Sequence, residues 1–437
     1  GTTIDCTNLV SFADGTASIA AAAFGTPVPT ATERTAIINY TRGQNVKDER
    51  SDGNTTQTRP TIHGDVVHSR PLPVNYGLSN DNSGTKVVVF YGTNDGVLRA
   101  VSTNTGQELW SFVAPEHHSR LKRLYDNNQL IAFPNILAQH AVTPFAVAPA
   151  PKDYFFDGTV GLLQSVDNSK IWIFPSMRRG GRMLYAFDVS PSDPSNPQPQ
   201  TNPILKWRIG CPNLGNDTGC TTGMSDIGQT WSVPNVAFIK NFSTTVPVIV
   251  VGGGYDNCED TDAIITNQCN NAKGRKVYIL NADTGAVIRS FDTDRSVPSD
   301  ITLVDTDFDS YVDYAYVADT GGNLYRISLT GANSAAWSIA KIASTANNGG
   351  RKFLFPPAAL AAKDSSGNPV VFLTIGSGDR ERPLLTNYPV TAPVTNRFYM
   401  VMDKFAGGVI NLDSTELQDN TGVTSPACIT EASTVKG

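Results

Sequence analysis

Charge is scarce in this chain. Asp, Glu, Lys and Arg make up 17% of its 437 residues, and the net charge is −6. A nucleic-acid surface needs clustered Lys and Arg to displace counterions, so that class of partner is excluded. No run of 18 apolar residues occurs, which excludes a membrane-spanning helix. The six cysteines include no Cys-x-x-Cys pair, so zinc-ribbon and thioredoxin-type motifs are missing. There is no Gly-x-Ser-x-Gly elbow, and His63 and His68 lack metal-pair spacing, which removes the common hydrolase signatures. His117 and His118 are adjacent; neighbours do not share a helix face, and both read as surface residues. The chain opens Gly1-Thr-Thr-Ile-Asp-Cys6, without Met or signal peptide, and reads as a processed chain or an excised fragment.

Glycine and proline are abundant, 64 together, among many Thr, Ser, Asn, Val and Ile. That mixture suits many short strands joined by turns. A unit of apolar strand, glycine-rich tip and second strand recurs. Its fullest copy runs from Val87 through Tyr91-Gly-Thr-Asn-Asp-Gly96 to Trp110. Others begin at Ile171, Val246, Tyr314 and Val370, with tips 57 to 84 residues apart. Each follows a short strand, at Arg70–Val74, Thr143–Val147, Ser232–Ala237, Asp300–Val304 and Phe355–Ala359. Repeated short-strand units of this kind build a β-propeller. The expected fold is all-β: a propeller of about seven irregular, quinoprotein-like blades with short helical insertions. A single domain is expected over 1–437, with segment 1–60 packing on or closing the propeller. Ala31–Tyr40 and Pro115–Tyr125 read as the helices. Ser190–Pro203, with five prolines, and Tyr255–Lys273 read as loops.

Cys211 with Cys220, and Cys258 with Cys269, each close a short polar loop, while Cys6 and Cys428 lie near opposite ends. These pairings are an expectation among fifteen possible connectivities. Loop-closing cysteines favour an oxidising compartment.

The densest chemical signal is Asp305-Thr-Asp307-Phe-Asp309-Ser-Tyr311-Val-Asp313. Four carboxylates within nine residues repel one another unless a cation sits among them. Calcium takes about six to eight oxygens in flexible geometry, and an Asp-x-Asp-x-Asp turn supplies side chains at its first, third and fifth positions. The Tyr311 carbonyl stands at the seventh position and Asp313 at the ninth. Ser310 replaces the glycine of an EF-hand, and Tyr316 stands where its bidentate Glu belongs. Asp313 therefore takes the place of that Glu. Strand-like flanks put the loop on a hairpin. Magnesium, with its stricter octahedral demand, suits the set less well. The plain alternative is a solvated acidic tip. Asp256, Glu259, Asp260 and Asp262 form a second acidic group, read as a solvated loop, and Arg178, Arg179 and Arg182 read as an exposed turn.

Several segments together resemble a known family: Ile38-Asn-Tyr-Thr-Arg-Gly43, Gly64-Asp-Val-Val-His-Ser-Arg-Pro71, Tyr91–Gly96, Met177-Arg-Arg-Gly-Gly-Arg182, Gly252-Gly-Gly-Tyr-Asp256, Gly376-Ser-Gly-Asp-Arg380 and Asn396–Tyr399. The chain resembles the C-terminal propeller of the PilC/PilY family of type IV pilus assembly and tip adhesin proteins. The resemblance implies a non-enzymatic protein that binds Ca2+ through Asp305, Asp307, Asp309, Tyr311 and Asp313. It implies that calcium occupancy regulates pilus extension against retraction and supports surface attachment. The implied partners are minor pilins or pilus tip components and a host-cell surface receptor; the implied location is the pilus tip or outer membrane of an exporting bacterium. No Arg-Gly-Asp tripeptide is present, which weakens an integrin reading. Two alternatives stand beside it. The Gly92–Trp110 unit also resembles a quinoprotein dehydrogenase blade, although the vicinal cysteine pair of many such enzymes is missing. The other is a structural scaffold whose calcium only stabilises.

Overall fold

Runs of Val, Ile and aromatic residues, stopped by Gly, Pro and Asp, become the strands of antiparallel sheets. The computed structural model describes residues 9–15, 19–78, 85–128, 131–132, 150–193, 195, 197–260, 271–345, 351–380, 394–405, 407–414, 417–419 and 434–436. They fall into two compact units, Gly1–Thr221 and Thr222–Gly437.

In the first unit, β1 (Leu72–Leu78), β2 (Thr85–Gly92), β3 (Val97–Ser102) and β4 (Glu108–Val113) form one sheet in chain order. The two-residue strands β5 (Ile131–Ala132) and β6 (Ala150–Pro151) pair in parallel. Then β7 (Val160–Gln164), β8 (Ile171–Pro175), β9 (Arg182–Asp188) and β10 (Ile204–Cys211) form the second sheet. Val74, Phe90, Trp110, Ile173, Tyr185 and Phe187 fill the core between the two. The tip glycines allow close approach. A Cβ on Gly92 would stand 1.8 Å from the Phe156 carbonyl oxygen, and one on Gly180 would stand 1.7 Å from that of Phe155. Any side chain at either position is sterically impossible without backbone movement. Cys211 and Cys220 form the expected disulfide.

Both expected helices are present. α1 (Ala31–Thr41) starts at Thr30, whose hydroxyl accepts from the Glu33 N–H at 3.2 Å, an N-terminal cap. A 3-10 turn, Pro115–His117, leads into α2 (His118–Asp126), which stops at Asn127 in left-handed backbone, φ 46°. Phe24, Ile37, Ile38, Leu121 and Phe155 pack together beneath them.

In the second unit, β11 (Asn235–Ile239), β12 (Ser243–Gly252), β13 (Lys276–Asn281) and β14 (Val287–Asp292) form one sheet. The next holds β15 (Thr302–Val304), β16 (Tyr314–Ala318), β17 (Asn323–Ser328) and β18 (Ser338–Ser344). β19 (Ala358–Lys363), β20 (Pro369–Gly376) and β21 (Phe398–Asp403) form the third. Short segments β22 (Ile410–Asn411), β23 (Leu417–Asp419) and β24 (Thr434–Lys436) extend the last two sheets. The middle sheet buries both faces. Ala315 and Val317 of β16 pack with Val248, Val250 and Ile279, while Tyr316 and Ala318 pack with Val371, Leu373 and Tyr399. This is the period-two alternation of a strand between two neighbours.

Among the described residues the five sheets of four or five strands are propeller blades, and each recurring strand–tip–strand unit lies within one. Four of the five expected leading strands fall on or beside β1, β11, β15 and β19. The fifth, Thr143–Val147, lies outside the described residues, as do Cys6, Cys269 and Cys428. β7, at the edge of its sheet, was not anticipated. Among the described residues no helix is long and apolar enough to cross a membrane.

Candidate metal centre

The acidic loop joins β15 to β16, whose register pairs Val304 with Tyr314. Its backbone folds over its own carboxylates. Asp305 Oδ1 accepts from the N–H groups of Phe308 (2.6 Å) and Asp309 (3.3 Å), and its Oδ2 accepts from Ser310 N–H at 2.8 Å. Asp313 Oδ2 accepts from Thr306 N–H at 2.9 Å, closing the loop from its other end. The turn puts Phe308 at φ 62° and Ser310 at φ 73°. The left-handed conformation expected of a glycine is thus taken by Ser310 itself, at a cost of about 1 kcal/mol. The Val312 N–H donates to the Phe238 carbonyl at 2.9 Å, tying the loop to β11.

Three of the four aspartates converge. Carboxylate oxygens of Asp305, Asp307 and Asp313 all lie within 4.8 Å of one another. At such distances the like charges repel one another even in water. The Asp307 carboxyl is raised above its ordinary range by desolvation and by the charges of Asp309, Asp313 and Asp305. Asp309 is placed differently: its Oδ2 accepts from the Lys240 ammonium at 2.6 Å and its Oδ1 from Tyr311 N–H at 2.9 Å. Hydrogen bonds from Lys240 and from the Tyr311 backbone hold its carboxyl below the usual range. Tyr311 is half-buried at the end of the turn. A set of hard, anionic oxygens gathered on a preformed turn fits a divalent cation of calcium's kind. Lys240 escaped the sequence reading. It stands 69 residues from Asp309, and only the β11–β12 hairpin brings it there.

Three other readings need correction. The second acidic group is not solvated where it is described. Glu259 is fully buried, and its Oε1 accepts from Arg295 Nη2 at 3.0 Å and from the Thr320 hydroxyl at 2.9 Å. Asp260 Oδ1 accepts from the buried Tyr255 hydroxyl at 3.0 Å. The Lys352 ammonium donates to the Glu259 carbonyl and, at 2.8 Å, to Asp379. Carboxylates survive burial here because cations and donors meet them. Cys258 beside them is disulfide-bonded; Asp262 and Cys269 lie outside the described residues.

The arginine turn is likewise interior. Arg178 is 5% exposed and Arg182 3% exposed. Arg182 donates to the carbonyls of Asn213 and Asn216 and pairs with Asp217 at 2.9 Å. His117 and His118 are also buried. His117 lies edge-on between Phe155 and Phe156, at 5.2 Å from each, and His118 lies against Phe12 and Phe24. Burial keeps both neutral: His117 is held well below its ordinary range, and His118 is lowered to about 4.

A family model described as the PilY1 beta-propeller domain matches residues 72–353, a span that includes the acidic loop. The type IV pilus biogenesis factor PilY1 of Pseudomonas aeruginosa (strain PAK) is 27% identical over 317 residues, covering 67% of this chain and 22% of that protein. A type IV pilus biogenesis factor PilY1 homolog of Xylella fastidiosa (strain Temecula1 / ATCC 700964) is 26% identical over 350 residues, covering 70% and 20% respectively. The chain therefore spans about a fifth of the length of the curated relatives it matches. The crystal structure of the Pseudomonas aeruginosa PilY1 C-terminal domain superposes with a TM-score of 0.48 and 19% identity, over 79% of this chain and 68% of that one.

Proposed function

The chain belongs to the PilY1 β-propeller family, and from that premise we propose that it is a calcium-binding propeller of a surface-exposed type IV pilus factor. Calcium occupancy of its Asp305–Asp313 loop regulates pilus extension against retraction and supports surface attachment. The convergence of Asp305, Asp307 and Asp313 within 4.8 Å carries the reading. Bound there, calcium would supply two positive charges to a loop of four carboxylates. Asp305, Asp307, Asp309, Asp313 and the Tyr311 carbonyl would hold it.

The residues themselves explain how the loop could report occupancy. Asp305 spends both oxygens on the backbone N–H groups of the turn, so a change in its orientation changes the turn. Asp313 opens onto β16, whose two faces lie in two different cores. A conformational change requires the ion to favour one arrangement of these groups over the other. The relatives are named for pilus biogenesis, which supports a non-enzymatic role with pilus components, such as minor pilins, as partners at the cell surface.

Calorimetry on the chelator-treated chain tests the site: one calcium per chain is expected, and none for Asp305→Ala. Wild-type uptake by Asp305→Ala refutes the assignment. A pilus-display assay with the folded Asp305→Ala protein separates regulation from a merely stabilising ion, since a scaffold would leave pilus number unchanged.

A further inference from the structure

We infer that Lys240 sets the calcium affinity of the loop, by holding Asp309 in an ion pair that must open before that carboxylate can join the other three. The inference rests on the cation site proposed above and adds a residue that no acidic motif contains. The separation of the four aspartates is the first observation. Asp305, Asp307 and Asp313 cluster, while Asp309 turns one oxygen to the Lys240 ammonium at 2.6 Å. The Lys240 ammonium supplies Asp309 with part of the positive charge that a divalent ion would bring.

The second observation is that this pair is built into the framework. Lys240 follows β11 directly, and its hairpin is closed by the pairing of Ile239 with Ser243. Two residues before it, the Phe238 carbonyl accepts from Val312 N–H at 2.9 Å. Val312 lies three residues beyond Asp309. One backbone hydrogen bond thus fixes the spacing of the two partners across neighbouring blades. Asp309 is held on its other side by Tyr311 N–H. Both partners of the pair are thus anchored through their backbones.

Two effects then act against the ion in the same direction. Asp309 has to exchange an ammonium partner for the ion, and the fixed positive charge beside the loop repels a second one. Neither effect is large, because the Lys240 side chain is 63% exposed and exposed charges are screened by water and salt. Lys240 therefore tunes the threshold of the site and does not block it.

Titration of the full chain with calcium chloride after chelator treatment tests this. At about 0.1 M monovalent salt, Lys240→Met should bind about three- to tenfold tighter than wild type. Lys240→Glu should bind tighter still, and Lys240→Arg should match wild type. The advantage of Lys240→Met should shrink at about 0.5 M salt, where screening is stronger. Equal affinity of wild type and Lys240→Met, or weaker binding by Lys240→Met, overturns the role of Lys240 while leaving the site intact. No calcium uptake by any of the four proteins overturns the site and this inference together.

Discussion

Two acidic segments of the second unit look alike as sequence and behave oppositely as structure. Asp305–Asp313 holds four carboxylates at or near the surface, tied mainly to their own backbone N–H groups. Asp256–Asp260 holds three, and Glu259 among them is fully buried. The difference lies in where the positive charge comes from. Glu259 is met by Arg295, from the segment after β14, and its carbonyl by Lys352, which precedes β19. Both are protein cations carried in by segments that connect one blade to the next. The exposed loop receives the Lys240 ammonium, which is bonded to Asp309 and lies further from Asp307, while the oxygens of Asp305, Asp307 and Asp313 converge. A buried acidic group has to bring its counter-charge with it. One at the surface can leave that position to solvent or to an ion.

The sharpest way to break this comparison is to remove one cation from each side. Arg295→Met strands a carboxylate that has no access to water, and about 3 kcal/mol of stability should be lost, read as a shifted denaturation midpoint. Lys240→Met in chelator should leave that midpoint where it is. If the two substitutions shift it equally, the distinction between the segments is void.

A buried ionisable group held neutral by desolvation extends the comparison to the first unit. His118 is held at about 4 by burial, below the ordinary value near 6.5. The unfolded chain therefore takes up the proton first on acidification. Stability is fully present above about pH 6.5 and falls as pH drops toward 4, by about 1.4 kcal/mol per pH unit for each such histidine. His117, also held low, acts in the same direction. Denaturation curves at pH 7.5, 5.5 and 4.5 should show the loss, and His118→Phe should flatten the slope. A smaller loss is expected at the loop: with chelator present, Asp305→Ala should cost about 1 kcal/mol, because the turn's lost hydrogen bonds are partly offset by relief of repulsion from the neighbouring carboxylates.

What could be read from the chain follows from the range of the forces involved. Apolar residues at helical spacing in Ala31–Tyr40, and Pro115 ahead of Leu121 and Leu124, announce helices within a few residues, and both helices formed. Val87–Tyr91 and Val248–Val251 announce strands by composition, and both lie in β-strands. β7 was missed because Val160-Gly-Leu-Leu-Gln164 is short and carries a glycine, and its strand character comes from pairing with β8. The burial of Arg182 was illegible because its acceptors, Asn213, Asn216 and Asp217, lie in the disulfide-closed loop more than 30 residues on. Glu259 was misjudged for the same reason: Arg295, 36 residues away, decides its environment. At the acidic loop, clustering of three aspartates followed from spacing alone, whereas the diversion of Asp309 depended on a distant lysine.

The glycine contacts of the first unit have a mechanical consequence. Phe155 and Phe156 press their peptide carbonyls against Gly180, in the turn between β8 and β9, and Gly92, the last residue of β2, so the segment touches the main chain of two different sheets. A residue larger than glycine at either place would wedge the Phe155–Phe156 segment away from a sheet, so the spacing of the two sheets depends on two missing methyl groups.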